Sequence, residues 1–232
     1  PDFQVRQFMG DQPLYANLGI AQIEYLIRDN QLGKIKELLN KTEANGLIIH
    51  INPLQEWLQP NGDRYYSSPI DSIKKVLDYL DAPVIVKEVG QGFGPKSIEA
   101  LLGLPLEAFD FGAHGGTNFS KVELLRHDNP RLDALSTSVT IGHNASEMCD
   151  LINSILDKDN FIPETKNIIV SGGVSSYLDG YYYMHRIPLN TMYGQASAML
   201  KYAQLGFEPL EQFIQGQIEG LQLADQFLTL KS

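Results

Sequence analysis

Gly46-Leu47-Ile48-Ile49-His50-Ile51-Asn52-Pro53-Leu54-Gln55-Glu56 decides the fold. Its start is an apolar run of the kind buried in a parallel sheet, and its end gathers an imidazole, two amides and a carboxylate. Polar groups at a buried strand end each cost roughly 2–7 kcal/mol if desolvated without a partner, so they need a purpose. The carboxyl ends of parallel strands are where α/β barrels keep their chemistry. A second run of the same design, Pro83-Val84-Ile85-Val86, leads into Lys87-Glu88-Val89-Gly90. Two such strand ends imply one shared site.

Outward from these runs, strands and helices alternate, the sign of a parallel sheet. Strands are expected at 14–17, 47–51, 84–87, 108–112, 168–171 and 191–193, with helices at 31–41, 72–80, 95–102, 146–156, 195–205 and 209–228. Ser72, Pro95 and Ser146 stand where N-terminal caps or first-turn residues belong. An open doubly wound sheet concentrates its site at one crossover point. Here polar or glycine-rich ends follow nearly every strand, as at the mouth of a barrel, whose closed form has eight strands. The expected fold is therefore an α/β TIM (β/α)8 barrel whose first two strands lie outside this chain, with 1–232 as a single partial domain.

With 232 residues and 43% hydrophobic content, the chain can bury a core. A formal net charge of −10 argues against nucleic acid or an anionic membrane surface as partner. One cysteine, Cys149, excludes an internal disulfide framework and fits a reducing compartment. No run approaches the roughly 18 apolar residues of a membrane span, and the first residues lack a signal-peptide pattern. A soluble cytoplasmic protein is expected. The chain starts with Pro1 rather than Met, which suggests a fragment or a processed form.

Each motif has a chemical and a plain reading. Ser171-Gly172-Gly173, followed by Tyr193-Gly194-Gln195-Ala196-Ser197, suits paired loops that grip a phosphate with backbone N–H groups; ordinary glycine turns would look the same. Gly115-Gly116-Thr117 offers flexible backbone plus a hydroxyl for a planar cofactor or a second phosphate. Lys87 is a Schiff-base nucleophile, a fixed cation beside an electron-rich ring, or a salt-bridge partner of Glu88. Glu56 is a sparse Mg²⁺ ligand or a solvated loop carboxylate. His50 alone would be a core histidine on a carbonyl; its company favours a site residue. His114, His127, His143 and His185 lack metal spacing and are expected at the surface or in loops. Tyr181-Tyr182-Tyr183 reads as the packing face of a helix.

His50 to Glu56 with Gln59-Pro60-Asn61-Gly62-Asp63, then Val86-Lys87-Glu88-Val89-Gly90-Gln91-Gly92, Gly115-Gly116-Thr117 and Ser171-Gly172-Gly173-Val174 together resemble the type 2 isopentenyl diphosphate isomerases. That family implies an FMN-dependent barrel interconverting isopentenyl and dimethylallyl diphosphate, with reduced FMN, Mg²⁺ and NADPH as reductant. The resemblance makes Gln55 a candidate in proton transfer and Glu56 the Mg²⁺ ligand. It puts His50 and Asn52 on the substrate side and Asn17 and Lys87 at the flavin ring. Thr117, Gly172, Gly173, Gly194, Gln195, Ala196 and Ser197 would hold the FMN phosphate. It also implies an isoprenoid diphosphate substrate and a homotetramer or homooctamer. Ser175 stands where the family usually has Arg.

Two other classes compete. Another FMN-dependent barrel oxidoreductase would want a late His-Arg pair or a catalytic cysteine loop, and a Schiff-base aldolase on Lys87 would leave Gln55 and Glu56 unexplained. A catalytically impaired FMN-binding paralogue is the third reading.

Overall fold

The structure is a computed structural model, described here for residues 4–64, 67–126 and 130–231. His127 lies outside the described residues. Among them, six strands form one parallel sheet in sequential order β1 to β6: β1 Tyr15–Gly19, β2 Gly46–Ile51, β3 Val84–Glu88, β4 Ala108–Asp110, β5 Asn167–Val170 and β6 Asn190–Tyr193. No reversal of order occurs, so the sheet winds as a barrel wall does, with β1 and β6 at its edges.

After a short α1 (Arg6–Met9), helices connect the strands. They are α2 (Ile20–Arg28) and α3 (Gly33–Thr42) before β2, α4 (Pro53–Leu58) and α5 (Pro69–Tyr79) before β3, and α6 (Pro95–Leu102) before β4. Between β4 and β5 lie α7 (Phe119–Arg126), α8 (Pro130–Ala134) and α9 (Ala145–Leu156). Then α10 (Tyr177–Arg186) precedes β6, and α11 (Ser197–Ala203) and α12 (Phe207–Phe227) follow it.

All six expected strands are present, displaced by a residue or two at their ends. One expected helix start moves back by three residues and another by one. α5 opens at Pro69 with Ser68 at the cap position, because proline's fixed φ and missing N–H suit the first turn; Ser72 is already inside the helix and buried. α9 is capped by Asn144 and begins at Ala145, which leaves Ser146 in its first turn, as expected. The Asn144 side chain accepts from the Glu147 N–H at 2.9 Å while Glu147 accepts from the Asn144 N–H at 2.8 Å. Ser146 instead accepts from Arg186 on α10 at 2.8 Å.

Pairing across the ladders sets two alternating rows. Leu18, Ile49, Val86, Phe109, Ile168 and Thr191 form one. Its central members Ile49, Val86, Phe109 and Ile168 are fully buried, in one core with Ile35, Ile73, Ile98, Leu101 and Met148 of the helices. Burying each such side chain stabilises the fold by roughly 1.5–3 kcal/mol. The next row points to the opposite face: Gly19, His50, Lys87, Asp110, Ile169 and Met192. That face is less covered, with Ile48 and Ile169 half-buried and Met192 49% exposed. Leu200 and Leu205 at α11 and Phe207 and Phe227 of α12 are also exposed. Of the tyrosine run on α10, Tyr181 is buried and Tyr183 packs on the core, whereas Tyr182 is exposed.

Candidate functional site

The row His50, Lys87, Asp110 sits at the carboxyl end of the sheet's open face, where each strand hands over to a polar turn. Lys87 is flanked by His50 on one side and Asp110 on the other. Its alternative as an ion-pair partner of Glu88 is overturned, because neighbouring residues of a strand face opposite ways. Glu88 is buried and accepts the N–H groups of Gly90, Gln91 and Gly92 at 2.6, 2.6 and 3.0 Å, folding the turn after β3 around its carboxylate. Burial pushes its carboxyl above the ordinary range, and those N–H donors pull it back.

His50 is fixed by Asn17 of β1, whose side-chain oxygen lies 2.6 Å from Nδ1. Burial first, and then the Lys87 charge, hold its pKa below the usual histidine value. The ring is thus neutral near pH 7. With Nδ1–H donating to Asn17, Nε2 is left as an acceptor. It lies over Gly19, where a Cβ would come within 3.0 Å of it.

Beyond β2, the chain turns straight into α4, with Pro53 in its first turn. Asn52 is buried and donates to Gln55 Oε1 at 3.2 Å and Glu56 Oε1 at 2.9 Å. Glu56 Oε2 accepts the Asp63 N–H at 2.9 Å. Gln55 Nε2 points to Glu123 Oε1 on α7 at 3.5 Å, and Gln59 Nε2 and Arg126 Nη1 reach the same oxygen at 3.1 Å. Glu123 is 3% exposed. Sequence reading missed it, because α7 turns Ser120 and Glu123 inward and leaves Leu125 in solvent, against the usual apolar stripe.

A cleft of about 440 Å³ opens beside this network, lined by Lys87, Asp110, Thr117, Phe119 and the turns after β5 and β6. Its floor is two glycine turns in direct contact. Gly172 has φ +87°, and a Cβ there would fall 2.0 Å from the Ala113 carbonyl; one at Gly116 would meet Gly173 N at 3.3 Å. Only glycine allows this approach. The N–H groups of Gly172, Gly173, Ala196 and Ser197 find no protein acceptor among the described residues. The Gln195 amide is orphaned: Nε2 and Oε1 are both buried without a partner. Asp110, a second residue unread in the sequence, accepts from the Ser171 hydroxyl and lies 3.4 Å from the Gly112 nitrogen. Burial raises its carboxyl, and Ser171, Gly112 and Lys87 oppose the rise. A carboxylate between Phe109 and Phe111 at a strand end was the available signal.

The N-terminus of α10 is filled by the chain itself. Asp179 Oδ2 accepts from Ser175 N at 2.9 Å, Ser175 Oγ at 2.7 Å and Ser176 N at 2.9 Å. Burial pushes its carboxyl up, but these donors outweigh that and hold it below the ordinary range.

The sequence-read residues thus fall into three groups. Lys87, Thr117, Gly172, Gly173 and Gly194 to Ser197 share the cleft, Asn52, Gln55 and Glu56 share the Glu123 network, and Asn17 and His50 pair beside Lys87. α7 links the first two, with Phe119 at the cleft and Glu123 at Gln55. His114 and His143 lie in loops, and His185 is exposed on α10. Among the described residues, no cluster of three or more His, Cys, Asp or Glu is placed to hold a metal, and no helix is long and apolar enough to cross a membrane.

Fold and site together define an α/β protein with a ligand cleft at the carboxyl ends of parallel strands. Over nearly its whole length, the chain is similar to proteins named isopentenyl-diphosphate delta-isomerase. It is 34% identical over 221 residues to the protein of that name from Rickettsia felis and 35% identical over 222 residues to that from Rickettsia africae, 95% of this chain in each case. The chain spans 61% of the length of these relatives. No family model matches it. Among solved structures it is similar to a mandelate oxidase with 2-hydroxy-phenylacetamide, at TM-score 0.49 and 10% identity, covering 91% of this chain and 56% of that one. A mandelate oxidase mutant with the monooxide FMN adduct gives TM-score 0.48 and 9% identity, covering 83% and 54%.

Proposed function

We propose that the intact protein interconverts isopentenyl and dimethylallyl diphosphate, using reduced FMN in the glycine-floored cleft and Mg²⁺ at Glu56. The observation that carries this reading is the convergence of Asn52, Gln55, Glu56 and Glu123 beside that cleft, in a chain homologous to isopentenyl-diphosphate delta-isomerases.

The residues present fit a flavin. The Gln195 amide lacks partners, the N–H groups of Gly172, Gly173, Ala196 and Ser197 find no protein acceptor among the described residues, and Lys87 offers a cation on the cleft wall. When bound, reduced FMN supplies proton exchange with the allylic substrate without net redox change, and NADPH serves as reductant. Lys87, with Asn17 behind His50, would serve the ring, and Thr117, Gly172, Gly173, Gly194, Gln195, Ala196 and Ser197 would hold its tail.

An amide is a poor base, so Gln55 orients rather than abstracts. Its oxygen is held by Asn52 and its nitrogen by Glu123, which fixes the orientation of the amide. Behind it, the Glu123 carboxylate lies 3.5 Å from the amide nitrogen. Neutral His50 presents Nε2 to the substrate side. Glu56 would offer a hard carboxylate oxygen to Mg²⁺, whose charge would help to bind the substrate's phosphates. We place the protein in the cytoplasm as a homotetramer or homooctamer, an assembly that would cover the exposed apolar side chains of α11 and α12.

The test is an anaerobic assay of the intact protein with reduced FMN, Mg²⁺ and isopentenyl diphosphate. Dimethylallyl diphosphate that appears only with both reduced flavin and metal supports the reading. A folded, flavin-loaded protein that makes none overturns it.

A further inference from the structure

Asp110 is the last residue of β4 and pairs across the ladder with Lys87 of β3. Neighbouring strands of a sheet stand about 4.8 Å apart, so a carboxylate and a cation rise side by side from one face. Both line the cleft. Glu88, the third charged residue of its lining, accepts the N–H groups of Gly90, Gln91 and Gly92 in its own turn. The rest of the row is Gly19, a neutral His50, Ile169 and Met192. Asp110 is therefore the opposite charge that Lys87 meets along the sheet.

The two do not form a contact pair. Among the described residues, the Lys87 ammonium has no hydrogen-bond or ion-pair partner, which leaves it free to serve a ligand. Asp110 is anchored from its other side. Its Oδ1 accepts from the Ser171 hydroxyl and lies 3.4 Å from the Gly112 nitrogen, and the Gly112 N–H also reaches Ser171 Oγ at 3.1 Å. The Ser171 proton has no other acceptor among the described residues, so this bond suits an ionised carboxyl. Oδ2 takes neither donor.

In a cleft wall that holds little water, a lone cation pulls strongly on a ring that gains negative charge on reduction. A carboxylate one strand away cancels part of that pull without displacing the ammonium. A plain brace between β4 and the turn after β5 would use the same Ser171 bond, but would be indifferent to the charge.

Resting on the flavin reading above, we propose that Asp110 is the counter-charge of Lys87, limiting the positive field that Lys87 lends to a bound flavin and so setting how strongly the cleft prefers the reduced form over the oxidised.

The experiment measures the midpoint potential of FMN bound to the intact protein and to Asp110 variants, beside the dissociation constant of the oxidised flavin. Asp110→Asn removes the charge and nearly keeps the shape. It is expected to raise the preference for reduced over oxidised flavin by about tenfold or more, a rise of about 30 mV or more for two electrons. Asp110→Glu keeps the charge and should stay at the parent's potential. Asp110→Ser, neutral and smaller, repeats the test where the amide does not fold. A neutral variant with the parent's potential overturns the proposal and leaves the flavin site standing. So does an equal rise in Asp110→Glu, which marks a brace. If the intact protein binds no flavin, the flavin reading falls and the proposal with it.

Discussion

Gln55 on α4 and Glu123 on α7 meet at 3.5 Å although 68 residues separate them in the chain. The contact ties the turn after β2 to the helix after β4, and so to the cleft that begins at Thr117 and Phe119. Asn52 holds the other end of the same amide.

Shortening or neutralising this end of the site should stop the chemistry without emptying the cleft. Gln55→Asn and Glu56→Gln, each made in the intact protein, are expected to lower isomerase turnover by about 10²–10³-fold while flavin affinity holds, because neither residue lines the cleft. Steady-state kinetics beside a flavin titration check this. Full activity in both variants sinks the assignment.

Glu123 serves three donors through one oxygen. Glu123→Gln keeps its volume and an acceptor, and is expected to lower kcat by about tenfold or more with a small change in Tm. Glu123→Ala leaves Gln55 and Gln59 short of a partner, and should also cost about 1–3 kcal/mol of stability. An unchanged kcat in both would remove Glu123 from the reaction.

His50 gives a pH signature. Its folded pKa is depressed, so the unfolded chain takes up this proton first as pH falls below about 6.5. Its contribution to stability is intact above that pH and is lost on acidification through the folded value. His50→Gln should flatten the fall of Tm as the pH drops below about 6.5. A variant that tracks the parent over that window contradicts the buried neutral ring.

Two glycines should respond with opposite signs. Gly172→Ala places a Cβ 2.0 Å from a carbonyl oxygen at φ +87°, and is expected to cost about 2 kcal/mol or more. Gly216, on the exposed side of α12 with open space around it, should gain about 0.5–1 kcal/mol as alanine. Denaturant midpoints read both.

The sheet was legible because parallel strands buried on a helix-covered face become apolar runs, and Leu47 to Ile49 or Val84 to Val86 leave little else to choose. Helix starts were less so. Ser72 and Ser146 are good caps by type, but Pro69 and Asn144 came first and met the geometry. Lys87 and Glu88 looked like a pair as neighbours in sequence, yet strand alternation sends them to opposite faces. Glu123 and Asp110 owe their places to burial against distant elements, which no local pattern records. The glycine turns were visible as composition; that they touch one another was not.

That contact fixes the aperture of the cleft in the main chain itself. Gly115 and Gly116 rest on Gly172 and Gly173 with no side chain between them, so substitutions around the mouth can change what a ligand touches but not how wide the opening is. Resizing it would take an inserted or deleted residue in one of the two turns. A search for variants with a different cofactor would therefore do better to vary loop length than side chains.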